Sequence, residues 1–295
     1  MIKRVASLLI LCAMALPATA SADALDDIAA RGTVNIGYRT DAPPFSFLDD
    51  TKHAAGFAVD LCLRIVDAAG KTVNKPLTPA YVAVTPNDQF TALQSGKIDL
   101  LCGPTTITFG RRELVDFSLI TFASGGTLMT KAPTPPLPPG STLKVAVLAH
   151  TTSEATLRRL VAEGKIKADI STVDTHDVAV GLVLSGKIDG YFADRELLWD
   201  RLSHAPNPDA LQISDVLMSY EPYAIAMRLG EERLRLISDR ALADMFRTLE
   251  IAKVFTRWFP HAAPSEVLKA LYFTQAFEDE AAEKAADAAA AAAKK

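Results

Sequence analysis

The chain has 295 residues, of which 49% are hydrophobic and 22% are charged, and its formal net charge is −4. This length and composition fit a globular protein with two domains, each large enough to bury a core. The sequence has no run of lysine and arginine, which argues against nucleic acid as a partner.

The first 22 residues predict an export signal. MIKR supplies a positive start, an apolar stretch follows, and small residues ending at Ala22 form a cleavage site. The apolar stretch is too short to span a bilayer comfortably, so we interpret it as a signal peptide. We expect the protein to cross the inner membrane, to be cleaved near Ala22 and to work in the periplasm.

Helical and extended patterns alternate after the signal. In chain order we predict helix, strand, helix, strand, helix and strand over ALDDIAARG, VNIGYR, GFAVDLCLRIVDAAG, PAYVAV, NDQFTALQSG and KIDLLCG. This β-α-β-α-β order is typical of a mainly parallel sheet with ligands at the carboxyl ends of its strands. An extended stretch, FSLITFASGGTLMT, then leads out of the unit.

The pattern restarts after a proline-rich stretch, residues 131–141, which suits a stiff connector at a domain boundary. Strand, helix, strand, helix and strand are predicted over LKVAVLA, SEATLRRLVAEG, DISTVD, DVAVGLVLSG and KIDGYFAD. The extended segment SYEPYAIAMRLG and two further helices return the chain to the first unit. Two crossings of this kind make a hinge.

These patterns predict an α/β protein with two lobes. We place lobe I at residues 23–130 plus 225–274, and lobe II at residues 131–224. The Ala-rich tail, residues 275–295, has no apolar stripe, and we interpret it as a frayed helix or a disordered segment.

The pentapeptide SGKID occurs twice, at Ser95–Asp99 and at Ser185–Asp189. Each copy follows a helical pattern and precedes a short apolar stretch, and its glycine suits the left-handed residue that ends a helix. Chance and common α/β punctuation could explain the match. We interpret it as the same helix-to-strand corner in two lobes of similar build.

Two cysteines outside the signal, Cys62 and Cys102, fall on a predicted helix and at the end of a predicted strand. An exported protein can form a disulfide between them. Two buried thiols, packed where the helix meets the sheet, are the alternative, and the spacing fits no metal motif.

Polar side chains follow the predicted strand ends of both lobes. The candidates are Arg39, Thr105, Thr106 and Arg111 from lobe I, and Thr151, Thr152, His176 and Asp194 from lobe II. Guanidinium groups suit carboxylates, a carboxylate suits an ammonium group, and a helix N-terminus favours an anion. Together these groups predict an amino-acid site.

Each candidate also has a structural alternative in a surface ion pair, a helix cap or a loop. The alternatives are Arg39 paired with Asp41, Arg111 paired with Glu113, Thr151 and Asp194 as helix caps, and His176 as a loop histidine.

An ordered series of motifs resembles a known family: GYRTDAPPFSFLDD, GFAVDLC, LQSGKIDLLCGPTTITFGRRELVDFS, HTTSEATLRRL, YFADRELL and KVFTRWF. It resembles the periplasmic binding proteins of polar amino-acid ABC importers (extracellular solute-binding protein family 3), and within them the glutamate/aspartate-binding branch. The resemblance implies a two-lobe periplasmic-binding-protein fold of type II. Such a fold has a hinge of two crossing segments, closes on its ligand and docks on an inner-membrane ABC permease.

By position in this resemblance, Arg111 is expected to bind the ligand α-carboxylate with help from Thr106, and Asp194 to bind the α-ammonium. Thr151 and Thr152 are expected to add contacts from lobe II.

Arg39 and His176 resemble positions around the side-chain carboxylate of an acidic ligand. The chain departs from the acidic branch at Pro86, at Gln89, where a second arginine is usual, and at Pro104, where a serine is usual. We keep Gln89 as the ninth ligand-binding candidate. Gln89 in place of arginine would cost a dicarboxylate about tenfold or more in affinity. An amide ligand therefore stays open beside glutamate and aspartate.

Two other functions use the same fold. One is a cyclohexadienyl dehydratase-like enzyme, for which Glu221 or His176 would be the acid, and the other is a ligand-sensing receptor component. We favour a non-enzymatic, monomeric binding protein with no cofactor and no metal, because no nucleophile series, phosphate loop or metal-spaced cluster is present.

Overall fold

A computed structural model describes residues 23–133 and 141–279 of the chain. The predicted signal peptide, most of the proline-rich stretch and residues 280–295 of the tail lie outside the described residues. Among the described residues, no helix combines the length and apolar character that crossing a membrane requires.

The first part of the chain forms most of lobe I. Its helices are α1 (Ala24–Arg31), α2 (Phe57–Thr72), α3 (Gln89–Gln94) and α4 (Phe109–Arg112), and its strands are β1 (Thr33–Tyr38), β2 (Asp41–Ala42), β3 (Ser46–Leu48), β4 (Ala54–Ala55), β5 (Thr78–Ala83), β6 (Leu100–Cys102) and β7 (Val115–Ser124).

Lobe II follows, and the chain then returns to lobe I. Lobe II holds β8 (Gly126–Lys131), β9 (Leu143–Leu148), α5 (Thr152–Ala162), β10 (Ala168–Val173), α6 (His176–Leu184), β11 (Gly190–Asp194), α7 (Arg195–Ser203), a 3-10 turn (Pro208–Ala210) and β12 (Leu211–Ile213). The returning part consists of β13 (Glu221–Arg228), α8 (Glu232–Arg247), α9 (Glu250–Trp258) and α10 (Glu266–Thr274).

The two lobes have sheets of the same design. The strand order is β5-β1-β6-β13-β7 in lobe I and β10-β9-β11-β8-β12 in lobe II. In each sheet the first three strands are parallel, and the last two are antiparallel to their neighbours. A small sheet, β2-β3-β4, lies beside the end of β1. The predicted two-lobe α/β fold is confirmed.

The SGKID corners have the predicted geometry in both lobes. Gly96 and Gly186 have φ angles of 71° and 70°, a left-handed conformation that glycine adopts at little cost. The aspartate of each copy also forms two hydrogen bonds with the backbone of the neighbouring strand. Asp99 donates its N–H to the Asn35 carbonyl at 2.8 Å and accepts the Asn35 N–H at 2.6 Å.

Asp189 makes the same pair of bonds to Lys144, at 2.8 and 2.7 Å. Each aspartate therefore fixes where its strand begins relative to the strand beside it. The strand ends that reach the space between the lobes are set by this register.

The crossings between lobes lie earlier in the chain than predicted. Residues 126–130 belong to lobe II, because β8 pairs with β11 and β12, and residues 221–224 belong to lobe I, because β13 pairs with β7. The proline-rich stretch connects β8 to β9 within lobe II, so it is not the boundary between lobes. At the first crossing, a Cβ on Gly125 would lie 2.5 Å from the Ser219 carbonyl of the second crossing.

Cys62 and Cys102 form a disulfide, which decides between the two alternatives that the sequence left open. Both residues are fully buried in the core between α2 and the sheet. Because Cys102 ends β6, the bond ties α2 to the strand that leads into the Gly103–Thr106 loop.

We predict that the double variant Cys62→Ala/Cys102→Ala has a free energy of unfolding about 4 kcal/mol lower than the oxidised protein. The bond joins residues 40 positions apart, and a closed loop of that length limits the entropy of the unfolded chain by about this amount. Urea denaturation of the mature protein measures the difference, with chemically reduced wild type as control. A loss under about 1 kcal/mol would contradict the structural role of the bond.

Candidate ligand-binding cleft

A cavity between the lobes is lined by residues at or shortly after six strand ends, those of β1, β5, β6, β9, β10 and β11. Seven of the nine predicted site residues lie in its wall: Arg39, Gln89, Arg111, Thr151, Thr152, His176 and Asp194. The two prolines singled out in the sequence, Pro86 and Pro104, line it as well. Most of the residues that we predicted from their places near strand ends therefore lie together in this wall.

Thr105 and Thr106 lie behind the cavity wall and form hydrogen bonds with the second crossing. The Thr105 carbonyl accepts the N–H of Ala224 on β13 at 3.1 Å. The Thr106 hydroxyl donates to Glu221 Oε2 at 2.8 Å. In this structure both residues attach the loop after β6 to the second crossing.

Arg111 places a positive charge in the wall of lobe I. Its Nη1 donates to the Thr106 carbonyl at 2.8 Å, and its guanidinium lies 5.0 Å from the centre of the Phe90 ring. No carboxylate lies within 4 Å of it among residues 23–133 and 141–279, so the predicted alternative of a pair with Glu113 is not formed. Burial lowers the pKa of Arg111, since removal from water disfavours its charge.

Asp194 places a negative charge in the wall of lobe II. Its Oδ1 accepts the Ser153 hydroxyl at 3.0 Å, and its Oδ2 accepts the hydroxyl of Tyr223 from lobe I. The side chain makes no capping bond to α7, so the helix-cap alternative does not hold. No cation of the described residues lies within 4 Å of it.

The environment of Asp194 disfavours its ionised form. Burial, followed by the nearby charge of Glu221, raises its pKa to about 7. The two hydroxyl donors act in the opposite direction but do not compensate. Asp194 is therefore a buried carboxyl group that lacks a positive partner.

Glu221 joins the two lobes at the hinge. It begins β13 and is 2% exposed. Its Oε2 accepts the hydroxyls of Thr106 from lobe I and Thr152 from lobe II, at 2.8 and 2.9 Å, while Oε1 accepts the Ser219 hydroxyl at 2.7 Å. The sequence identified Glu221 only as a conceivable acid, whereas its oxygens are occupied by three hydroxyls and it does not line the cavity.

The N-terminus of α5 opens into the cavity. The Thr151 hydroxyl accepts the N–H of Glu154 at 3.2 Å, as a capping residue does. Glu154 accepts the N–H of His150 rather than that of Thr151, so the two side chains form only half of a capping box. His150 has a φ of 61°, a strained conformation that turns the chain from β9 into the helix.

Arg39 lines the cavity and is also paired. Its Nε and Nη2 donate to Asp41 Oδ1 at 3.1 and 2.7 Å, so the ion pair considered as an alternative is present. The arginine side chain is 8% exposed and the aspartate side chain 29%. Arg39 can therefore reach a ligand, but its charge is already opposed.

His176 is the first residue of α6 and is buried, not exposed on a loop. Its Nδ1 lies 2.5 Å from the Tyr191 hydroxyl. Burial lowers the pKa of His176 to about 3, so the imidazole is neutral at physiological pH.

Gln89 begins α3, and its residue is 6% exposed in the cavity wall. Its side-chain amide has no hydrogen-bond partner in the part of the chain that the structure describes. Since no side-chain nitrogen or oxygen of the described residues is both fully buried and without a partner, this amide faces the cavity, where a polar atom of a ligand can bind it.

Arg201, beside the cavity, bridges the two lobes and was missed by sequence reasoning. It lies on α7 of lobe II, and its Nη2 donates to the backbone carbonyl of Asp41 in lobe I. Its Nη1 lies 3.4 Å from Asp177 Oδ1 and 3.9 Å from Asp200 Oδ2. Its place in a predicted helix gave no sign that it would reach across to lobe I.

Comparisons with known proteins identify the family of the chain. The chain matches the family model of bacterial extracellular solute-binding proteins, family 3, over residues 34–261. It is 30% identical to the L-glutamate/L-aspartate-binding protein of Pseudomonas aeruginosa, over 83% of this chain and 82% of that protein. It is also 30% identical to the glutamate/aspartate import solute-binding protein of Escherichia coli, over 85% and 84%.

Solved structures with the same fold include two reconstructed ancestral proteins. One is an amino-acid-binding precursor of cyclohexadienyl dehydratase (29% identity, TM-score 0.69, 80% of this chain and 99% of that one). The other is an arginine-binding protein bound to glutamine (28% identity, TM-score 0.67, 78% and 98%). The chain therefore belongs to family 3 of the bacterial extracellular solute-binding proteins, as the motif series predicted.

Proposed function

We propose that this protein is the periplasmic substrate-binding component of an ABC importer and that it binds a polar or acidic α-amino acid between its lobes. One observation carries the proposal: a partly buried cation without a carboxylate partner, Arg111, and a buried anion without a cationic partner, Asp194, occur in the same cavity. A zwitterionic ligand satisfies both charges at once. The names of the relatives support the same class of ligand.

In this proposal the guanidinium of Arg111 binds the α-carboxylate through paired hydrogen bonds, and the N-terminus of α5 at Thr151 and Thr152 adds donors from lobe II. Asp194 binds the α-ammonium. Arg39, Gln89 and His176 remain for the ligand side chain. Thr105 and Thr106, which the sequence assigned to the ligand, act instead through the loop that carries Arg111.

Closure of the lobes is part of the proposed mechanism. The cavity has a volume of about 40 Å³, which is room for a few water molecules, and its wall comes from both lobes. Ligand entry therefore requires the lobes to part at the two crossings. The bonds of Glu221 to Thr106 and Thr152 would re-form as the lobes close on the ligand, and a permease would recognise the closed form.

The other parts of the proposal follow from the family and from the N-terminal sequence. The protein would be exported, cleaved near Ala22 and active as a monomer that delivers its ligand to an inner-membrane permease. We assign it no nucleic-acid partner and no catalysis. The three hydroxyls bound to Glu221 and the neutral, buried imidazole of His176 argue against proton donation by the two residues that an enzyme would need as acids. Delivery to a sensor instead of a permease would use the same cleft.

A thermal-shift screen tests the proposed function. The mature protein, refolded to remove carried-over ligand, is heated with each standard amino acid, with dicarboxylates and with prephenate. We expect a higher melting temperature with one or a few polar amino acids, because a ligand that binds only the native state stabilises it by mass action. A shift with prephenate accompanied by its turnover would favour the enzyme, and no shift with any amino acid would contradict the proposal.

We predict that Arg111→Ala weakens binding of the amino acid identified in that screen by about 100-fold or more. Two charge-assisted hydrogen bonds are lost, each contributing about 1.5–3 kcal/mol. The melting temperature of the unliganded protein should change little. The variant loses the hydrogen bond of Arg111 to the Thr106 carbonyl, but it also removes a partly buried charge that has no carboxylate partner. Isothermal titration calorimetry measures the affinity. Arg112→Ala, which removes an exposed neighbouring charge, is the matched control, and equal losses in both variants would contradict a ligand role for Arg111.

We also predict that binding releases a proton at pH 6 and almost none at pH 8. The pKa of Asp194 is raised to about 7, so ionising this carboxyl group costs the unliganded protein stability as the pH rises from about 4 to about 7. A bound ammonium group favours the ionised form. Affinity should therefore weaken by up to about tenfold for each pH unit below 7.

Calorimetry at pH 6 in two buffers of different protonation enthalpy measures the released proton. Asp194→Asn should abolish the release and should weaken binding more at pH 8 than at pH 6. Binding at pH 6 without proton release would show that Asp194 is not the group that receives the ammonium.

A further inference from the structure

The charges that surround the cavity determine which amino-acid side chain it can bury. Three charged side chains line the wall: Arg39, Arg111 and Asp194. Asp41 opposes Arg39 directly, and Glu221 lies behind Thr106 and Thr152. Two arginines are thus opposed by three carboxylates, and the formal charge of these five groups is one negative. A zwitterion leaves that balance unchanged, whereas a dicarboxylic amino acid adds a second buried negative charge.

The end of the cavity beside Arg39 is left for the ligand side chain. Every described cation at this end has an acidic neighbour. Arg39 gives both Nε and Nη2 to Asp41. Arg201, the next guanidinium, lies within 4 Å of Asp177 and Asp200. Among the described residues, the arginines beside this end are thus opposed by at least as many carboxylates.

His176 does not supply the missing charge. It is 3% exposed, and its Nδ1 is taken by the hydroxyl of Tyr191. Asp41 acts to raise its pKa and both Arg39 and Arg201 act to lower it, but burial is the largest effect and keeps the ring neutral. To present a positive charge to a carboxylate, this imidazole would have to take up a proton against its burial.

Gln89 adds a neutral group at the same end. Gln89 is 6% exposed and lines the cavity, and its side-chain amide has no hydrogen-bond partner within residues 23–133 and 141–279. An amide offers a donor and an acceptor together, and so does a carboxamide ligand. A carboxylate could use only the donor half.

We propose that the cleft prefers an amino acid with a neutral carboxamide side chain, glutamine or asparagine, over glutamate or aspartate. This inference rests on the proposed function and names the ligand class of the same site. Asp41 is the residue that sets the preference, because it opposes the one arginine of this end that lines the cavity. Two relatives are named for binding glutamate and aspartate, so a preference for the carboxamide would distinguish this chain from them.

Calorimetric titration of the refolded mature protein at pH 7.5 with L-glutamine, L-asparagine, L-glutamate and L-aspartate tests the proposal. Of glutamine and asparagine, we expect the one with the higher affinity to exceed the affinity of its own acid by about tenfold or more. Burial of a charge without a partner lowers affinity by at least that factor. Equal or tighter binding of the acid would overturn the inference and leave the proposed function intact. If other amino acids bind but none of these four does, the inference is also overturned. Failure of every standard amino acid to bind would contradict the proposed function itself.

The variant Asp41→Asn tests the assigned cause. With the carboxylate removed, Arg39 regains an unopposed charge, and the ratio of glutamate to glutamine affinity should rise by about tenfold. Asp50→Asn is the control, since it removes the same charge from an exposed position of lobe I that has no contact with Arg39. An unchanged ratio in Asp41→Asn would contradict the role of Asp41, whichever ligand the wild type prefers.

Discussion

Two opposite charges in one cavity, the partly buried Arg111 of lobe I and the buried Asp194 of lobe II, are the constraint on which the rest of the site depends. Neither has an ionic partner among the described residues, and burial disfavours the charge of each. A protein keeps such groups buried only when something else satisfies them. The hinge permits the lobes to open, and a zwitterion supplies both missing charges when they close.

The frame around the cavity holds these groups in place. The disulfide ties α2 to the end of β6, and the loop that follows β6 leads to Thr106, whose carbonyl accepts a bond from Arg111. In lobe II the second SGKID corner begins β11, which ends at Asp194. Glu221 then joins the loop after β6 to α5 through hydroxyls of both lobes. The fold thus sets the positions of the charges through short covalent and hydrogen-bonded links.

Features with local signals could be predicted from the sequence. Gly96 and Gly186 end helices because their conformation is local. Residues near strand ends, such as Arg111 and Asp194, line one cavity because each parallel sheet presents the carboxyl ends of its strands at the edge that faces the other lobe. Features that depend on long-range pairing could not be predicted. The switch of sheets at Gly125 depends on the pairing of β8 with β11, and the extended stretch around it gives no strand partner. Arg201 reaches Asp41 only because α7 packs against the opposite lobe.

A crystal structure of the mature protein with its amino acid bound tests the pairing of these charges with a zwitterion most directly. We predict one ligand between the lobes, with its α-carboxylate on the guanidinium of Arg111 and its α-ammonium within hydrogen-bond distance of Asp194. We also predict that Glu221 still accepts hydroxyls from both lobes. A ligand bound in the reverse orientation, or bound without contact to Asp194, would contradict this pairing.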